Sequence, residues 1–178
     1  FIEETGELQS TGGRRAKALS VAVNVKQAVG LDITKNHIGF VLTNLTGEIL
    51  KYVRIFLPYA HEDAYYRRVN DELESFLEES NIDRKRILGI GISFPGIIDL
   101  DRRLITYSHI LGVKMISFDS ISGFFGYPCC FLNDANAGAY AEGIHSDERE
   151  RFFYLSLSNT VGGAIFDHNG LVQGSHFR

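Results

Sequence analysis

Pro128-Cys129-Cys130-Phe131-Leu132-Asn133-Asp134-Ala135-Asn136-Ala137 joins a short apolar run to an alanine-rich one. Cys129 to Leu132, bounded by a proline, has the length and composition of a buried strand. Ala135 to Ile144 has those of a helix. Asn133 and Asp134 therefore fall on a strand-to-helix seam, and in open α/β sheets the carboxyl ends of strands facing helix N-termini are where ligands bind. A carboxamide beside a carboxylate at that point is a candidate ligand contact. The competing role is structural, because Asn and Asp are good N-caps whose oxygens satisfy the first free N–H groups of a helix.

Working outward toward the N-terminus, Arg86 to Phe94 is an apolar run of the kind expected for a parallel strand buried on both faces, and it stops at Pro95-Gly96. Before it, Tyr65, Val69, Leu73, Phe76 and Leu77 recur at three- and four-residue spacing, which predicts an amphipathic helix over 62–80. Ala18 to Val23, Ala28 to Ile33, His37 to Thr43 and Ile49 to Leu57 read as successive strands of a β-meander, with Asn44-Leu45-Thr46-Gly47 as a hairpin turn. Residues 1–16 show neither period and read as a linker or arm. Between Pro95 and the seam, Ile97 to Ile105 reads as a turn and short strand, and Phe118 to Phe125 as a short helix.

Beyond the seam, Glu142 to Glu150 reads as a charged hinge. A second meander follows, with strands at Phe152 to Ser158 and Gly163 to Phe166 and a hairpin signal at Asn169-Gly170. The strand and helix succession is that of an α/β protein with a mixed sheet flanked by helices. The expected organisation is an arm over 1–16, an α/β domain over 17–148 and the beginning of a second α/β domain over 149–178, so the chain reads as a fragment.

Composition narrows the function. With 178 residues and 44% apolar content the chain can bury a substantial core, and its formal charge of −4 gives no basic footprint for nucleic acid. The longest uncharged stretches fall short of the roughly 18 apolar residues that span a bilayer, and the acidic start is unlike a secretory signal, so a cytoplasmic location is expected. The two cysteines, Cys129 and Cys130, are adjacent, with Cα atoms about 3.8 Å apart, closer than disulfide geometry accepts. They read as reduced core residues. No histidine stands at metal-ligand spacing, and His37, His109 and His176 read as isolated.

Three turns are expected to converge: residues 32–37, residues 158–163 and the Asn133-Asp134 seam. Facing turns can hold phosphates through backbone N–H groups, with an aspartate beside them as general base.

These segments resemble the ROK family of sugar kinases and sugar-responsive repressors, which belongs to the actin-like ATPase (ribonuclease H-like) superfamily. Asn133-Asp134-Ala135-Asn136-Ala137 with Ala141-Glu142 is similar to the family's sugar-binding and catalytic segment, and Phe94-Pro95-Gly96-Ile97-Ile98-Asp99 to its strand-end loop. Tyr154-Leu155-Ser156-Leu157, Val161-Gly162-Gly163 and Asn169-Gly170 are similar to its second phosphate loop and hairpin. The resemblance implies that Gly96, Asn133 and Asp134 contact a sugar or sugar phosphate, with Asp134 as base in catalytic members. Kinases of the family carry glycines where this chain has Thr34 and Lys35 after Asp32, and another where it has Thr160 before Gly162 and Gly163. A Cβ there would crowd a phosphate.

The expectation is therefore a ROK-type regulator that senses sugar in an interdomain cleft. It would reach DNA only through an upstream winged-helix module, and a homo-oligomer is expected when full length. The alternative is an ATP- and Mg²⁺-dependent sugar kinase, glucokinase-like or N-acetylhexosamine kinase-like, with Asp134 catalytic. No cofactor is expected within this stretch, and the family's zinc loop would follow residue 178.

Overall fold

The computed structural model describes residues 2–7, 17–145, 151–157 and 161–174. Its first element departs from expectation. Ile2–Glu7 forms a strand, β1, paired antiparallel with β2 (Lys17–Val21), and a Lys17–Glu4 ion pair of 2.7 Å clips the ribbon. No alternation marks β1 in the sequence because residues 2–6 are all exposed. The rest of the expected arm, residues 8–16, lies outside the described residues.

Next comes a five-stranded mixed sheet. β3 (Gln27–Ile33), β4 (His37–Asn44) and β5 (Ile49–Phe56) form the predicted antiparallel meander, while β3 also pairs in parallel with β6 (Ile87–Phe94). At the β4–β5 turn the Asn44 Oδ1 accepts from the N–H groups of Thr46 and Glu48, and Gly47 takes φ 82°, a value that favours glycine. Helix α1 (Asp63–Glu79) lies between β5 and β6 in the chain and buries Tyr65, Tyr66, Val69, Leu73, Phe76 and Leu77. Those side chains meet Ile38, Phe40 and Leu42 of β4 and Ile90, Ile92 and Phe94 of β6 in one core. Strand β6 is not buried on both faces as expected. Ile90, Ile92 and Phe94 are buried, but Leu88 is exposed and Gly91 and Ser93 are half-buried, because α1 covers one side of the sheet.

After Phe94 the chain makes a small antiparallel sheet of β7 (Ile97–Asp99), β8 (Leu104–Ser108) and β9 (Val113–Ser117). Strand β9 was not expected. It is interrupted by Met115 at φ 55°, which breaks the alternation a strand pattern needs. Helix α2 (Phe118–Ser122) leads back to the main sheet, stacking Phe118 on Phe131 at 4.3 Å. Strand β10 (Cys129–Asn133) then adds in parallel to the edge of β6, giving the order β10-β6-β3-β4-β5. The cysteines are both free, but Cys130 is exposed on this edge rather than in the core. Cys129 is half-buried, and burial pushes its thiol up to about 11.

Helix α3 (Asp134–His145) follows without a break. It carries the final sheet, β11 (Phe152–Leu157), β12 (Val161–Asp167) and β13 (Gly170–Leu171), antiparallel throughout. The fit depends on small residues. A Cβ on Gly138 would lie 2.5 Å from the end of the Tyr154 ring, so the ring rests directly over the helix backbone and would have to shift for any larger residue there. The expected charged hinge begins inside α3, and residues 146–150 lie outside the described part. No described helix is long and apolar enough to cross a membrane.

Candidate functional site

The register sets the site. Asp32 stands opposite Ser93 and Asn133 opposite Phe94, so β3, β6 and β10 end along one edge of the sheet. Helix α3 begins there at Asp134.

Asn133 takes the capping role weighed in the sequence and adds a second structural one. Its Oδ1 accepts from the N–H of Ala135 at 2.9 Å and of Asn136 at 3.3 Å, which caps α3. Its Nδ2 donates to the Gly96 carbonyl at 2.8 Å, which ties the loop after β6 to the helix. Gly96 cannot carry a side chain in this arrangement, since a Cβ would sit 2.6 Å from the Tyr107 carbonyl oxygen. The fully buried Ser108 hydroxyl donates to the Pro95 carbonyl and accepts from the Leu111 N–H at 3.2 Å. Thr106 Oγ1 donates to the Ile97 carbonyl at 3.1 Å. The loop at 95–97 is thus held from two sides.

Asp134 accepts from the Ala135 N–H at 3.0 Å. Its carboxyl is raised above the usual 3.8, chiefly by burial, with the Asp32 charge adding to the rise and the Ala135 hydrogen bond opposing it. The two aspartates therefore feel each other across the strand ends. Thr34, in the neighbouring turn, is occupied locally: its hydroxyl donates to the His37 carbonyl at 2.9 Å and accepts the His37 N–H at 3.1 Å. No residue of that turn takes a positive φ, so its backbone needs no glycine.

A cleft of about 720 Å³ opens between the 95–98 loop, the start of α3 and the last sheet. Gly96, Asn133, Gly162 and Gly163 line it together, and a Cβ on Gly162 would come within 3.2 Å of the Ala135 Cβ. Asp32, Thr34 and Asp134 are not among the lining residues. Thr160 lies outside the described residues.

The cleft also gathers residues that the sequence did not single out as contacts: Asn136, Tyr107, Phe153 and Gln173. A signal for Asn136 existed, since it is three residues after Asn133 on a helix and so shares its face. Tyr107 had none, because it belongs to a strand whose pairing was not read. Elsewhere, His37 packs edge-on to Phe56 at 5.5 Å, and His109 Nδ1 is 3.3 Å from the Tyr107 hydroxyl. Among the described residues no group of three or more His, Cys, Asp or Glu is placed to hold a metal ion.

Comparison with known proteins fits this geometry. The family model described as "ROK family" matches residues 28–177. The chain is 30% identical to a xylose repressor of Caldicellulosiruptor bescii over 98% of its length and 45% of that protein. It is 28% identical to a xylose repressor of Bacillus subtilis, over 98% of this chain and 46% of the repressor. A beta-glucoside kinase of Listeria innocua is 31% identical over 60% of this chain and 36% of the kinase. Among solved structures, a ROK family transcriptional regulator described as a homolog of the E. coli MLC protein superposes with a TM-score of 0.75 at 23% identity, covering 98% of this chain and 45% of that one. A ROK family glucokinase from Streptomyces griseus, in complex with glucose and AMPPNP, gives 0.71 at 21% identity, covering 83% and 46%. The fold is that of actin-like ROK proteins, and the chain spans about half the length of the curated relatives it matches.

Proposed function

Because the chain belongs to the ROK family, we propose that it is the sugar-sensing portion of a transcriptional regulator, with the sugar bound in the cleft beside Gly96 and Asn133. One observation carries this reading over that of a kinase. The regulators are matched over 98% of the chain, a span that takes in nearly all of the opening ribbon, whereas the kinase and glucokinase matches cover 60% and 83%.

The first turn supports the same choice. A nucleotide cradle uses free backbone N–H groups and glycines that let the backbone approach phosphate. Thr34 instead places a β-branched side chain in the turn and spends its hydroxyl on His37. The residues present do not fit ATP at this turn, and no catalytic step is assigned to Asp134. DNA contact is assigned to a module outside these 178 residues, in a cytoplasmic homo-oligomer when full length. The two sheets either side of the cleft are the first domain and the start of a second.

Sugar would act by binding one arrangement of the two sheets better than another, shifting their equilibrium by that difference in affinity. The test pairs two measurements on the chain. Millimolar D-xylose or D-glucose should raise the melting temperature, as any ligand specific to the native state must. Incubation with ATP, Mg²⁺ and the same sugars should yield no sugar phosphate. Phosphorylated product that disappears in Asp134→Asn would overturn the regulator reading in favour of a kinase.

A further inference from the structure

Among the described residues the main sheet ends on one side in β5, with no strand beyond it. The ladder to β4 fixes which way its backbone faces. The Leu57 N–H donates to the Asn36 carbonyl at 3.0 Å, and hydrogen-bonded pairs alternate along an antiparallel ladder, so Ile55 and Val53 bond toward Ile38 and Phe40. The N–H and C=O groups of Tyr52, Arg54 and Phe56 therefore point away from the sheet, and no backbone group among the described residues meets them. Such a row is a template for another strand.

Sheet edges are commonly guarded by a bulge, a proline or a charge. Here the bulge falls at the start of β5, where Leu42 faces Lys51 and Thr43 faces Ile49, and Pro58 lies past its end, so residues 51–56 run regular and open. Lys51 is engaged by α1, with its ammonium 3.0 Å from Glu79 and 4.9 Å from the Phe76 ring centre. Arg54 is the charge on this stretch that has no partner among the described residues. On the face away from α1, Tyr52 is 59% and Phe56 71% exposed. Both rings are already held, Tyr52 over Gly39, where a Cβ would come within 3.6 Å of it, and Phe56 edge-on to His37. Association then has less side-chain freedom to remove.

We propose that β5 pairs antiparallel with β5 of a second copy of this chain about a two-fold axis at Val53, joining two five-stranded sheets into one. The strand is complementary to itself in that register. Tyr52 and Arg54 exchange backbone hydrogen bonds with the partner's Arg54 and Tyr52, which sets a guanidinium beside an aromatic ring twice, and Phe56 falls beside the partner's Leu50. An axis at Lys51 or Arg54 would set like charges opposite each other. One at Ile55 would set Tyr52 against Pro58, which has no N–H, and one at Tyr52 would set Arg54 against the bulge. The edge lies across the sheet from β10, so the pairing stands whether or not the cleft takes a sugar.

Sedimentation equilibrium of the chain from about 10 µM to about 1 mM tests this, and because one strand pair is a small interface the dimer should be weak, half-formed below about 1 mM. Arg54→Pro removes an outward N–H without touching the β4 ladder and should leave the chain monomeric throughout. Tyr52→Lys sets cation against cation at both Arg54 positions and should weaken the dimer at least about threefold, a loss that adding Arg54→Glu should restore. A chain that stays monomeric at the highest concentration overturns the proposal, as does a dimer that Tyr52→Lys leaves unchanged. Weakening that Arg54→Glu fails to restore overturns the register. Should Arg54→Pro not fold by circular dichroism, the Tyr52→Lys pair of measurements decides alone.

Discussion

The two antiparallel meanders of this protein, β3-β4-β5 and β11-β12-β13, have the same connectivity and opposite surroundings. In the first, Ile38, Phe40 and Leu42 are at most 2% exposed beneath α1. In the second, Phe152, Tyr154 and Ala164 turn toward α3, while Phe153, Leu155, Leu157, Val161 and Ile165 stand between 43% and 75% exposed. A meander alone has two faces and can satisfy only its own backbone. What makes the first a rigid platform is the helix on one side, and the second, among the described residues, packs chiefly on α3.

Truncating a core side chain should separate the two regions most sharply. Leu73→Ala, in the helix that covers the first meander, is expected to cost about 2–5 kcal/mol in urea unfolding, whereas Leu155→Ala, half in solvent, should cost under about 0.5 kcal/mol. Equal losses would mean that the second sheet's open face is covered in solution. Next in size is the link between the regions. Gly96→Ala forces a Cβ against the Tyr107 carbonyl and should cost roughly 1–3 kcal/mol and abolish the sugar-induced rise in melting temperature.

A smaller effect is expected at the cap. Asn133→Ala removes both the α3 cap and the Gly96 tie, for roughly 1–2 kcal/mol. Asn133→Asp keeps the acceptor for Ala135 and should recover much of the stability without the tie to Gly96. Chemical denaturation of both variants beside sugar titration separates the two contributions.

Smallest is the titration of Asp134. Its folded midpoint lies above the unfolded one, so the native state binds more protons between them, and its contribution to stability falls as pH rises through that window. Carbon-13 carboxyl shifts should report a midpoint above 3.8, and Asp32→Asn should lower it by removing the like charge. A midpoint at or below 3.8 would break the account of burial at the strand ends.

Much of this was legible in the sequence, for reasons that differ by element. The meander, α1, β6 and the β10–α3 seam were readable because each has a period or a bounded apolar run, and the seam's Asn133 capped its helix and met Gly96 as its residue type allows. Strand β1 was not readable, since a ribbon with both faces in water leaves no alternation. Strand β9 was hidden by Met115 in a left-handed conformation. Tyr66 escaped because it sits beside Tyr65 at the edge of the helical stripe, yet it is 2% exposed, with its hydroxyl 2.8 Å from that of Tyr59. The cleft's makeup depends on residues up to 78 positions apart, Gly96 to Gly174, which only the folded chain brings together.

The three bonds of Asn133 also limit how the molecule can move. Its amide grips the Gly96 loop while its oxygen grips the start of α3, the helix against which Tyr154 and the last sheet are packed. Tilting that helix without carrying the loop along requires breaking the Gly96 bond. A single carboxamide thus works as a mechanical joint, through which a displacement of the far sheet is felt at the end of β6.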